Sequence, residues 1–168
     1  FDIYRGFESS FESLFKQMLL LSASLLKFGS PFVFRFDNHH FFERLIDFLS
    51  FDDIPFNVKR FGVKCLTNAI IFRSADTQRM KLFGQGVIRI FLQIIENDSD
   101  EEMTREILDS IEILFHCCEN CGQLPSFTSV FHDEEGYSIL ISLNTCNDKA
   151  HQLLDEIPDP ENNDDFSE

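Results

Sequence analysis

Residues 82–92 read LFGQGVIRIFL, and they join the end of one apolar segment to the start of the next. Gly84 and Gly86 interrupt this stretch, and glycine readily adopts the backbone conformations that end a helix. After them, Val87 and Phe91 recur at the spacing of one helix face. The stretch therefore predicts two helices joined by a tight turn that contains glycine.

The same succession of helix, turn, long helix and closing glycine occurs twice along the chain. A first unit opens at Phe41, a second opens at Val87, and a third opens at Tyr137 and is cut short by a helix at 150–157. When the first unit is shifted by 46 residues, three apolar positions of the long helices coincide: Phe61 with Ile107, Cys65 with Ile111, and Ala69 with Phe115. Repetition at this period predicts stacked helical units.

Upstream of Phe41 the sequence predicts half a unit, with a long apolar helix around Leu14–Leu26. Residues 32–36 have a strand-like pattern with period two, but Pro31 and the repeat register favour a helical or irregular connector. Before the long helix of the second unit, Ser99 and Glu102 have the spacing of a capping box. The acidic residues after Pro158 have almost nothing to bury, so residues 158–168 are expected to be a disordered tail.

The composition also favours helices. The 168 residues include only 7 glycines and 5 prolines, whereas folds built from strands need frequent turn residues. Phenylalanine supplies 21 aromatic side chains and tryptophan none, which is typical of a chain that fills a core. No apolar run approaches the roughly 20 residues that span a bilayer.

The net charge of −15 bears on partners. A nucleic acid or an anionic membrane surface would be repelled, whereas basic peptides or basic protein faces would be attracted. The five cysteines are odd in number and unevenly spaced, which indicates reduced thiols in the cytoplasm or the nucleus. We therefore expect a protein or peptide partner, with no nucleic acid and no membrane.

Helical units of about 46 residues that close on glycine resemble the armadillo and HEAT repeat families. Residues 82–92 are similar to an armadillo junction, and residues 131–137 are a second, weaker copy. The resemblance implies an all-α fold, a right-handed superhelix of armadillo-type repeats over residues 1–157. It implies about three repeats, the last of them incomplete. Flanking repeats or a homodimer would cap the ends of such a stack.

The resemblance also implies a function, a non-catalytic module that binds a peptide or protein along a concave helical groove. The third helix of each unit lines that groove, and its polar positions are the predicted partner-binding residues: Lys64, Thr67, Asn68 and Ser110. Alternative functions are a chaperone exchange factor or a divergent nuclear-import adaptor. Import adaptors of the family carry a Trp and an Asn four residues apart on this helix. Here Asn68 stands at the Asn position, but Lys64 replaces the Trp.

Residues 116–121, HCCENC, raise the question of a metal or redox site. A zinc ion would need four ligands, and neighbouring helical positions point about 100° apart, so His132 or Cys146 would have to contribute. Structural cysteines are the preferred interpretation, ahead of redox chemistry and then metal. The sequence lacks nucleophile and nucleotide-binding motifs, so no catalytic residue, cofactor or metal is predicted.

Overall fold

The computed structural model describes residues 9–72, 75–97, 100–144 and 147–158. These residues form ten α-helices and contain no β-strand, so the all-α prediction is confirmed. The helices are α1 Ser9–Leu26, α2 Ser30–Asn38, α3 Phe41–Leu49, α4 Phe56–Ile71, α5 Asp76–Gly84, α6 Val87–Asn97, α7 Glu101–Asn120, α8 Leu124–Asp133, α9 Gly136–Asn144 and α10 Asp148–Glu156.

The predicted succession of short opening helices and long helices along the chain is also found, and α8 is a further short helix that the sequence did not predict. Short α3, long α4 and short α5 are followed by short α6, long α7 and short α8, and then by α9 and α10. Residues 32–36 lie within α2, so the connector is helical and the period-two pattern does not form a strand. Pro31 is compatible with this helix because it occupies the first turn, where the missing N–H costs nothing.

The start of α7 differs from the predicted capping box. The N-cap is Asp100, whose side chain accepts hydrogen bonds from the backbone N–H groups of Glu102, at 3.0 Å, and Met103, at 3.1 Å. Ser99 lies outside the described residues. An aspartate at this position also places negative charge at the helix N-terminus, which the helix dipole favours.

The chain divides into two compact units, Phe1–Ser74 and Ala75–Glu168. The first contains α1–α4 and the second contains α5–α10. Residues 159–168 lie outside the described residues, so the prediction of an acidic tail stays a prediction. No helix within the described ranges combines the length and the apolar character that crossing a bilayer requires.

In the first unit, α1 packs along α4. α2 packs onto α1, α3 packs onto α4, and α2 and α3 pack against each other. Two buried side chains of α4 bond to backbone oxygens of α1. The Cys65 thiol donates to the carbonyl of Leu19, at 3.2 Å, and the Asn68 amide donates to the carbonyl of Ala23, at 2.8 Å. These bonds fix the register of α1 on α4 within an otherwise apolar interface.

In the second unit, α7 lies among α5, α6, α8 and α10, and α9 packs onto α6, α8 and α10. Aromatic rings fill the space beside α7. The ring centroid of Phe127 lies 5.7 Å from that of Phe83, 5.5 Å from that of Phe115 and 5.7 Å from that of Phe131. The abundance of phenylalanine in the sequence is thus used in part to build this cluster.

The two predicted junction glycines have different roles. Gly86 precedes α6 with φ +86°, a conformation that glycine adopts without strain. Gly136 is instead the first residue of α9, and the positive φ of 58° falls on Glu135. A Cβ atom at Gly136 would lie 2.6 Å from the ring of Phe131, so this position needs glycine for close packing.

A test of the close packing in the first unit compares Gly62→Ala with Gly84→Ala. A Cβ atom at Gly62 would lie 2.7 Å from the side chain of Leu49, which is fully buried, whereas Gly84 has nothing within 4 Å. Overpacking costs ~1–3 kcal/mol, and alanine gains up to ~1 kcal/mol of helix propensity at either site. We expect Gly62→Ala to be less stable than Gly84→Ala by about 2 kcal/mol in urea unfolding. Equal stabilities would contradict this packing.

Candidate functional site

The predicted partner-binding residues are mostly inside the protein. Thr67, Asn68 and Ser110 are between 0 and 2% exposed, and Lys64 is half-buried. They lie on the long helices α4 and α7, as predicted, but Thr67, Asn68 and Ser110 have almost no contact with solvent. Their assignment to partner binding stays a prediction. The side chains of Thr67, Asn68 and Ser110 each make a hydrogen bond within the protein.

Each of the three buried side chains hydrogen-bonds to a backbone oxygen. Thr67 Oγ1 donates to the carbonyl of Lys64, at 3.2 Å, and Ser110 Oγ donates to the carbonyl of Glu106, at 2.8 Å. Asn68 makes the bond to α1 described above. A buried polar group without such a bond costs about 1–3 kcal/mol, so these bonds make the polar residues compatible with the core.

A different site is a groove in the first unit, between α1, α2 and α3, with a volume of about 680 Å³. α1 contributes one wall, the C-terminal half of α2 a second, and α3 the third. The lining residues are Phe15, Met18, Leu19, Ser22, Arg35, Phe36, His39, Phe41, Arg44, Leu45 and Phe48. Sequence reasoning did not single out this site, although it predicted α1 and α3 as helices and α2 as a helical or irregular connector.

Aromatic rings form the walls of the groove. The ring of Phe15 on α1 meets that of Phe48 on α3 edge to face, with centroids 5.1 Å apart. Phe36 on α2 meets Phe41 on α3 in the same way, at 4.7 Å. All four rings are only half-buried, so the chain leaves part of their apolar surface open to a ligand.

The charged residues that line the groove are its two arginines, Arg35 and Arg44. Arg35, His39 and Arg44 are exposed at its edge, and none of the lining residues is Asp or Glu. Within the described part of the chain, neither arginine has a carboxylate oxygen within 4.0 Å. This local charge is opposite to the net charge of −15.

The apolar surface continues from the groove along α1. Leu14, Met18 and Leu21 are spaced i, i+4 and i+7, which places them on one helix face, and each is more than half exposed. Met18 belongs to both the groove and this stripe. We call these three residues the α1 stripe.

The cysteines of residues 116–121 are mostly buried, as the structural interpretation expects. Burial raises the pKa of Cys118 to about 12 and, together with the nearby charge of Asp76, raises the pKa of Cys117 to about 11. The Cys118 thiol contacts the sulfur of Met80, at 3.7 Å. Cys65 is similar, since burial raises its pKa to about 12. Among the described cysteines, only Cys121 is exposed.

One group of side chains in the second unit has metal-ligand chemistry. A nitrogen of His116 and one carboxylate oxygen each of Glu112 and Glu156 lie within 4.8 Å of one another. Lys149 Nζ lies 2.5 Å from Glu112 Oε1, and Gln152 donates to Glu112, at 3.0 Å, and to Glu156, at 2.8 Å. The ammonium group already supplies a positive charge there. We therefore describe this group as an ion-pair network that joins α10 to α7.

A scan of protein-family models and a search of curated proteins found no match to this sequence.

The bond between α4 and α1 predicts that Asn68 is needed for stability. Asn68→Ala removes a buried hydrogen bond and leaves unfilled space, so we expect a loss of about 1–3 kcal/mol in the free energy of unfolding. Asn97→Ala is the matched control, because its amide also donates to a backbone carbonyl, at 2.8 Å, but is exposed. Urea unfolding of both variants measures the difference. A loss at Asn97 as large as that at Asn68 would contradict the structural role.

The cysteine environments predict selective labelling. At pH 8, a thiol with a pKa of about 12 is ionised in roughly one molecule in ten thousand, and the thiolate is the reactive form. In a Cys146→Ala background, we expect native protein to react rapidly with one equivalent of a disulfide reagent, at Cys121. Urea should release Cys65, Cys117 and Cys118. Fast reaction of three or more thiols in the native protein would show that they are not buried.

Proposed function

We propose that the chain is a non-catalytic protein-interaction module that binds its partner through the first unit. One observation carries the proposal: ten of the eleven exposed large apolar side chains among the described residues belong to α1–α4 and their connections. Three of the ten, Leu14, Met18 and Leu21, share one face of α1, and Met18 also lines the groove. A contiguous apolar patch of this kind usually marks a binding site, whereas scattered single apolar residues are normal on a protein surface. The exception in the second unit is Ile141.

The groove and the α1 stripe are the parts of this surface that suit a polypeptide. The groove offers half-buried aromatic rings, and such rings are frequent anchors at protein interfaces. Together with Leu14 and Leu21, it forms an apolar surface that extends along α1. A partner that covers this surface would remove large apolar side chains from water, which is favourable.

We also propose that the helices stack as a right-handed armadillo-type superhelix of about three repeats. The support is the repeated order of short and long helices, together with the repeated burial of matched positions. Cys65 and Ile111 are both buried, as are Ala69 and Phe115. A cytoplasmic or nuclear location is consistent with free cysteines in the described residues.

We do not extend the proposal to a nuclear-import adaptor. That function would use Asn68 to contact the bound peptide, whereas this amide is buried and donates to the carbonyl of Ala23. No observation favours a chaperone exchange factor over other protein-binding roles. The proposal therefore concerns the surface and the class of partner.

The proposal is tested by selecting binding peptides from a displayed random library and comparing two variants of the protein. Met18→Glu places a charge on the α1 stripe, and Ile141→Glu makes the same type of change in the second unit. The two side chains are 57% and 62% exposed, so neither change should affect folding. We expect Met18→Glu to weaken the selected peptides by at least ~10-fold and Ile141→Glu to leave them unchanged, since a buried charge opposes apolar contact.

Thermal unfolding of both variants verifies that they fold as the wild type does. If the selected peptides bind Met18→Glu as tightly as the wild type, the first unit is not the binding surface. A library that yields no binder to the wild-type protein would count against the module as a whole.

A further inference from the structure

We propose that the groove between α1, α2 and α3 binds an amphipathic helix of a partner protein that carries Asp or Glu beside its apolar face. This inference rests on the proposed function, because it assigns a chemistry to the partner of that surface. Two properties of the groove carry it: half-buried aromatic rings in its apolar walls, and edge arginines that have no carboxylate oxygen of the described residues within 4.0 Å.

The distribution of charge is the first step. The chain has 29 acidic residues and 14 Lys and Arg, yet the lining of the groove contains two arginines and no acid. Within the described part of the chain, the guanidinium groups of Arg35 and Arg44 have no carboxylate within 4.0 Å. Arginine pairs with carboxylates through two parallel hydrogen bonds, and such pairs strengthen beside apolar surface, where water is partly excluded.

The net charge of −15 does not oppose this assignment. At physiological salt, charges separated by more than about 8 Å are largely screened, so a bound helix responds mainly to the charged groups nearest to it. In the groove those groups are Arg35 and Arg44. The attraction of basic partners that the whole-chain charge predicts applies to the surface outside the groove.

The extent of the apolar surface favours a helix over a small ligand. A fatty acid would fit a volume of about 680 Å³, but it would leave Leu14 and Leu21 in water. A helix lying along α1 would cover the groove and the α1 stripe together, as helices do when they pack into the grooves of others. In a symmetric dimer the arginines of one groove would face those of the other, and like charges repel, which disfavours a second copy of the chain.

The test uses three synthetic peptides of ~16 residues, long enough for about four helical turns. The first has Leu and Phe at i, i+3, i+4 and i+7, with Glu on the flanks of that face. The second has Lys in place of each Glu, and the third keeps Glu but has Ala at the apolar positions. Fluorescence anisotropy measures their affinities for the full chain. We expect the first peptide to bind at least ~10-fold more tightly than the other two.

Charge reversal in the groove then identifies the site. The double variant Arg35→Glu, Arg44→Glu should weaken the Glu peptide by at least ~10-fold and should strengthen the Lys peptide. Arg105→Glu on α7 is the matched control, because it is also an exposed arginine, and it should leave the preference unchanged. Both groove arginines are exposed, so the double variant should fold normally, which circular dichroism verifies.

Several results would overturn the inference. One is equal binding of the Glu and Lys peptides, and another is an equal effect of the control and the double variant. A third is saturable binding of laurate that depends on the arginines when the Glu peptide does not bind. A fourth is a dimer, detected by sedimentation, that the double variant dissociates. If library peptides require Met18 but have no charge preference, the proposed function stands and only this inference is lost.

Discussion

The packing of α1 against α4 is the constraint on which the first unit depends. It combines close apolar contact with hydrogen bonds from Cys65 and Asn68 of α4 to backbone oxygens of α1. Apolar contact alone is tolerant of sliding, whereas a buried amide that moves away from its carbonyl loses a hydrogen bond, which disfavours small shifts of α1 along α4. Because α1 forms one wall of the groove, the shape of the candidate site depends on this register.

The long helix α4 also shows where sequence reasoning succeeded and where it failed. Periodicity located α4 correctly, because apolar residues at this spacing share one face only when the backbone is helical. It could not show that residues 65–70 are all buried. Both α1 and α3 pack on α4, polar Asn68 bonds to α1, and Thr67 is fully buried as well. The polar positions of a helix mark a surface only when one side of that helix is left uncovered.

The groove was beyond sequence reasoning for a different reason. Its walls come from three helices, and the chain between α2 and α3 turns through His40, which has φ +56°. In the sequence, Arg35 and Arg44 are two basic residues of a chain with a net charge of −15. The net charge does not show where on the surface basic residues gather. That they share an edge with four phenylalanines follows only from the tertiary contacts. The aromatic-rich residues 32–36 are the available signal, but the pattern of these residues predicts secondary structure and not which helices surround them.

The bond from Asn68 to Ala23 has a consequence for how the protein can evolve. The acceptor is a main-chain oxygen, which every residue type possesses, so the bond sets no requirement on the identity of its partner beyond a helical backbone. Ala23 is 4% exposed, so its side chain lies inside the protein while its carbonyl accepts the bond. The exposed residues of α1 can therefore change to suit new ligands while the buried face stays packed on α4. Binding specificity can change in this way without loss of the fold.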